Sequence, residues 1–99
     1  MEIRIQDVHF DATDALKSFI QKKVSKLDQY YDGILSAEVT LKVVKPETAA
    51  NKEAQIRLAV AGQDLFASKT SDTFEESIDA DVDALQKQLM KFKEKMRSK

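Results

Sequence analysis

Residues 74–96 read FEESIDADVDALQKQLMKFKEKM, with apolar positions at Phe74, Ile78, Val82, Leu85, Leu89, Phe92 and Met96. The steps between them are four, four, three, four, three and four residues. That is the period of a long helix with one apolar stripe, and it predicts a helix starting near Asp72. A helix of this kind must bury its stripe against another layer. Upstream, Leu16, Phe19, Ile20, Val24, Leu27, Tyr30 and Tyr31 recur at three or four residues and predict a second helix of the same type. Thr13 is its expected N-cap, because a hydroxyl can accept from the free amides of the first turn. Asp32-Gly33 is its expected end, with Gly33 suited to a left-handed C-terminal conformation.

Between and before these helices the period is two. Ile3 and Ile5 alternate with Glu2, Arg4 and Gln6, giving a short first strand. Ala37, Val39, Leu41 and Val43 mark a second strand over about 36–45, and Ala54, Ile56, Leu58 and Val60 a third. A loop is expected over 46–51, since Pro46 cannot donate to a ladder. Gly62-Gln63-Asp64 is the expected turn into a fourth strand over 65–69. Three strands in succession imply antiparallel hairpins. The order β-α-β-β-β-α, with two single-faced helices, predicts an α+β domain of two layers: a four-stranded mixed sheet with both helices on one face.

The chain has 99 residues, 42% apolar and 33% charged, which suits one compact domain with a modest core. It has no Cys, so neither a disulfide framework nor a thiolate metal site is expected. The charged, alternating N-terminus is no signal peptide, and no apolar run is long enough to span a bilayer. A cytoplasmic location is the expectation.

Catalysis finds little support. His9 is the single histidine, placed in a strand-to-helix connection without a nucleophile to serve. Asp79, Asp81 and Asp83 resemble the start of a calcium loop, but Ala84 and Met90 stand where that loop needs Gly and Glu. Asp79 and Asp83 read better as solvated helix charges. With Gly33 and Gly62 as the only glycines, no phosphate-cradling loop exists. No enzyme activity, metal or cofactor is expected.

Charge is unevenly placed. Residues 87–99 hold six of the sixteen basic residues and one acid, whereas the whole chain is −1. Acids fill the first half of the last helix and bases the second, as the helix macrodipole prefers. That effect fades within the last turn, yet Lys87 lies about three turns from the chain end. Lys87, Lys91 and Lys95 repeat at four on one flank of the stripe, with Lys93 and Arg97 on the other; like charges at that spacing repel. In the first helix Lys23 falls inside the apolar arc and Lys26 at its margin. The residues alone leave two readings open: a phosphate-binding groove between the helices, or solvated helix surfaces with snorkelling lysines. Which flank faces the groove is not decided by the sequence.

The segments TDALKSFIQKKVSKLDQYYDGI (13–34) and SIDADVDALQKQLMKFKEKMRSK (77–99) resemble the two helices of the short hibernation-promoting factor family, ribosome-associated translation inhibitors also known as sigma-factor modulation proteins. The resemblance runs over essentially the whole chain. Its most specific pieces are Leu16, Phe19, Lys23, Lys26-Leu27, Tyr30, Ala67, Ile78-Asp79 and the run from Leu85 through Gln88-Leu89 to Lys91, Lys93 and Lys95.

The resemblance implies a domain that binds the small ribosomal subunit near the decoding centre. There it would block messenger and transfer RNA and inhibit translation in stationary phase. The implied contacts to ribosomal RNA are Lys23, Lys26, Lys87 and Lys91 first, then Lys17, Lys93, Lys95 and Arg97, with Lys22 weaker. It further implies one ribosome-binding domain over 1–99 without the C-terminal dimerisation domain of long members, a monomer off the ribosome, and a helper factor for any ribosome dimerisation. Two departures stand out: Ala84 replaces a frequent Lys, and Asp81 occupies a usually apolar or neutral position. The rival readings are a general RNA-binding domain of the double-stranded-RNA-binding type and a protein-interaction module using the acids of 72–83.

Overall fold

The computed structural model describes residues 1–44 and 50–97, with Arg97 described through its backbone. Its elements are β1 (Glu2–Val8), α1 (Asp14–Ser25), a 3-10 turn (Lys26–Gln29), β2 (Ser36–Val43), β3 (Lys52–Val60), β4 (Gln63–Ser71) and α2 (Phe74–Arg97). The expected Pro46 loop and the end of the second strand at Lys45 lie outside the described residues, except for Ala50 and Asn51.

The strands form one sheet in the order β1-β2-β3-β4. β1 pairs with β2 in parallel, and α1 supplies the crossover that a parallel pair requires. The other two pairs are antiparallel, as expected for consecutive strands. Register follows from alternation: Ile5, Val39, Ile56 and Ala67 lie abreast across the sheet on one face. Both helices cover that face. Ile20, Val24 and Leu27 from the first helical segment and Ile78, Leu85 and Leu89 from α2 are fully buried with the strand residues in one core. Glu38, Arg57 and Phe66 point to the uncovered face. The two-layer α+β architecture is as the periodicity predicts.

Local chemistry explains the ends of the helices. Thr13 Oγ1 accepts from Leu16 N at 3.1 Å, so it caps α1 as expected. α2 begins at Phe74 rather than near Asp72, because Thr73 caps it: its Oγ1 accepts from Glu76 N at 3.1 Å. The first helix does not run unbroken to Tyr31. It tightens after Ser25 into the 3-10 turn, where Lys26 N bonds to both Lys23 O and Val24 O. Three residues per turn keep Leu27 and Tyr30 on one side, so the apolar spacing survives the change.

Two glycine expectations need correction. The β3–β4 turn is Ala61-Gly62 rather than Gly62-Gln63-Asp64, since Gln63 already pairs with Val60. Gly62 holds φ +84°, which a side chain would strain. Gly33 is not left-handed. Crowding marks it instead, for a Cβ there would sit 2.6 Å from the end of the Tyr31 ring, which would have to shift. That ring is held by α2: it meets Phe92 edge-on at 5.4 Å, and its hydroxyl lies 3.6 Å from Met96 sulfur.

Asp81 is a buried carboxyl within the core, among the described residues. It is 1% exposed on the side of α2 packed against the sheet, and its Oδ2 has no hydrogen-bond partner among the described residues. Burial first, and then the negative charge of Glu53 on β3, push its carboxyl up to about 7, while Lys69 on β4 opposes the rise.

Candidate nucleic-acid interface

Lysines are exposed on both helices, but the fold divides them. In α1, Lys23 points toward α2 instead of snorkelling straight to water. Its Nζ lies 3.1 Å from Asp79 Oδ1 and 5.6 Å from the Phe19 ring centroid. Asp79 is therefore not a merely solvated charge. Lys26, three residues on, opens the 3-10 turn and is exposed; Lys22 is also exposed. Lys17 sits on the opposite flank, where its charge acts on Asp7 of β1. The main cause of Asp7's lowered pKa is the hydrogen bond its carboxylate accepts from Ala12 N, at 2.7 Å.

In α2, two contacts establish which flank faces which neighbour. Gln88 Nε2 donates to Phe66 O of β4 at 2.9 Å, and Lys95 lines a depression with Gln63 at the start of β4. Lys91 lies three residues beyond Gln88 and four before Lys95, hence on the same β4-side flank. Lys87 points outward and pairs with Asp83 at 3.5 Å, one turn earlier on its own helix. The Lys87-Lys91-Lys95 stripe thus faces away from α1. Lys93 is the α2 lysine that faces the first helical segment, lining depressions with Gln29, Tyr30 and Tyr31. The side chain of Arg97 lies outside the described part.

The two helices run in the same direction, since Lys23 meets Asp79 while Tyr30 meets Lys93. Their C-terminal ends therefore share one end of the molecule. Asp79 of α2 offsets Lys23 of α1, whereas Lys26, Lys91, Lys93 and Lys95 are exposed toward that shared end, with Asp32 and Glu94 beside Lys93. Among the described residues, Lys26, Lys91 and Lys93 make no ion pair. Lys23 and Lys87 do. The contacts expected from sequence are thus brought to one layer, the helix layer, but not into one groove.

Gln29, Tyr30 and Met90 surround Lys93, yet none of them is among the contacts expected from sequence. Tyr30 falls within the apolar stripe and reads as core, although it is only half-buried. Met90 is 53% exposed. No group of His, Cys, Asp or Glu able to hold a metal ion occurs among the described residues, and no helix there is long and apolar enough to cross a membrane.

A family model described as Sigma 54 modulation protein / S30EA ribosomal protein matches residues 3–97. The chain belongs to this family. Among its relatives, the ribosome hibernation promoting factor of Escherichia coli strain K12 is 33% identical over 97 residues, covering 98% of each chain. That of Azotobacter vinelandii is 32% identical over 95 residues, covering 96% of this chain and 85% of the relative. The N-terminal domain of Thermus thermophilus Protein Y superposes with a TM-score of 0.78 at 29% identity, covering 93% of this chain and 99% of that one. A ribosomal subunit interface protein from Coxiella burnetii gives a TM-score of 0.84 at 22% identity over 94% and 98%, a likeness of fold alone. This chain shares the fold of both solved structures: four strands in a mixed sheet under two helices.

Proposed function

We propose that this protein is a ribosome hibernation factor that binds the small ribosomal subunit near the decoding centre and keeps messenger and transfer RNA out. Its mechanism is steric and electrostatic, with no bond made or broken. The sheet and the buried helix faces form a rigid platform, and the helix layer presents ammonium groups to ribosomal RNA phosphates. Family membership supports the ribosome as partner. The single structural observation that carries the reading is the exposed positive charge of Lys26, Lys91 and Lys93 toward one end of a domain that is −1 overall.

Lysines read phosphate charge rather than base edges, so affinity must fall steeply with salt, with a slope of roughly −0.7 to −0.9 per phosphate contact in simple nucleic acids. Action in stationary phase, and a helper factor for ribosome dimerisation, belong to the same proposal. The test is co-sedimentation with small subunits across a salt series. Wild type is compared with a variant carrying Lys23→Glu, Lys26→Glu, Lys87→Glu and Lys91→Glu. Wild type should sediment at low salt and the variant should not. Equal sedimentation of the two discards these contacts; failure of wild type at low salt discards the ribosome reading. Equal affinity for free duplex RNA would favour a general RNA-binding domain instead.

A further inference from the structure

Beside the 3-10 turn, the C-terminal half of α2 leaves a surface depression of about 290 Å³ lined by Gln29, Tyr30, Met90, Lys93 and Glu94. A neighbouring depression, also about 290 Å³, shares Gln29, Tyr30 and Lys93 and continues past Tyr31. Tyr30 and Lys93 thus lie between two openings. Isolated exposed apolar side chains need no explanation. Here, though, the exposed Met90 adjoins a half-buried tyrosine and a lysine that makes no ion pair among the described residues.

We propose that this depression receives one unpaired RNA nucleotide, with its base against Tyr30 and Met90 and its phosphate on Lys93. The proposal rests on the RNA-binding function above and extends it from phosphate contact to base contact. Each lining group suits a different part of the nucleotide. An aromatic ring offers a stacking surface to any base, and the thioether of Met90 is polarisable and adaptable. The carboxamide of Gln29 has both donors and an acceptor for a base edge. The Lys93 ammonium meets the phosphate.

The acids around it narrow the ligand class. Asp28 lies 3.7 Å from the N-terminal ammonium and is partly offset there. Asp32 and Glu94 remain at the rim as negative charges. They oppose a doubly charged free nucleotide more than the singly charged phosphodiester of an RNA chain. The occupant is therefore an RNA residue held in a chain by the lysines around it.

The experiment measures small-subunit affinity of wild type, Tyr30→Leu, Met90→Glu and Lys93→Gln across a salt series, with base-reactivity footprints of the bound RNA. Loss of a stacked base should weaken Tyr30→Leu by roughly 5-fold or more without changing the salt slope. Lys93→Gln should weaken binding and flatten the slope by about one contact. Met90→Glu alters an exposed position and should weaken binding even if Tyr30→Leu folds poorly. One base should be protected by wild type and reactive with Tyr30→Leu.

If wild type binds and both Tyr30→Leu and Met90→Glu match it, the nucleotide site is overturned while the ribosome reading stands. Weaker binding by Tyr30→Leu with an unchanged footprint would assign the depression to a protein surface, and would also overturn it. If wild type does not bind, both readings fall together.

Discussion

Lys23 Nζ stands 3.1 Å from Asp79 Oδ1, tying α1 to α2 across the space that the proposed RNA contacts border. The two side chains are 33% and 53% exposed, so the pair is screened by water and worth at most about 1 kcal/mol to stability. The carboxylate also occupies the ammonium that a phosphate would need. Asp79→Asn should therefore leave the melting temperature nearly unchanged while tightening small-subunit binding a few-fold. Its salt slope should steepen by roughly 0.7–0.9. Weaker binding by this variant would mean that Asp79 positions Lys23 rather than competing for it.

The flanks make unequal contributions testable. Lys26 stands on the side of the first helical segment near Lys23, whereas Lys17 lies on the opposite flank beside Asp7. Lys26→Glu should weaken small-subunit binding markedly, and Lys17→Glu should stay close to wild type in the same co-sedimentation assay. A larger loss for Lys17→Glu would place the interface on the β1 side of the domain.

Asp81 makes stability depend on pH. Its folded pKa, raised to about 7, exceeds the ordinary 3.8, so the folded state binds the proton more tightly than the unfolded chain does. The stability contributed by its protonation is complete below about pH 4, is lost as pH rises toward 7, and is level above that. Glu53 and Lys69 are the charged groups acting on it from β3 and β4. Asp81→Asn removes the charge and should be more stable than wild type by about 2–4 kcal/mol at pH 8. The advantage should vanish near pH 4. Urea midpoints at the two pH values check this, and a pH-independent difference would contradict it. Asp7, with its lowered pKa, acts in the opposite sense, and only as pH falls below its ordinary range.

Gly33 supports the end of α2 indirectly. A methyl group there must displace the Tyr31 ring, which rests on Phe92 and Met96. Gly33→Ala should cost about 1–3 kcal/mol by overpacking. It should also weaken RNA binding, because the last turns of α2 carry Lys93. Wild-type stability in denaturant would show that the ring moves aside freely.

Much of the architecture was legible because it depends on each segment's own axis. Period two in residues 37–43 and 54–60 gave the core-facing rows, and period near 3.6 gave the buried stripe from Phe74 to Leu89. Thr13 was legible as a cap for the same local reason. The close approach at Gly33 was not, since it comes from the Tyr31 ring lying over that residue, which a local pattern does not show. Nor was the 3-10 turn at Lys26–Gln29, because a three-residue step can mimic the helical stripe. The half-exposed Tyr30 was hidden by the same stripe.

The sequence by itself determined the elements, their order, their apolar faces and the collection of bases in the last helix. Only tertiary structure decided that Lys93 faces the first helical segment while Lys91 and Lys95 face the β4 side, and that Asp79 meets Lys23. Periodicity places a residue around its own helix axis. It does not say which neighbour lies on either flank, and that relation between axes governs which charges meet.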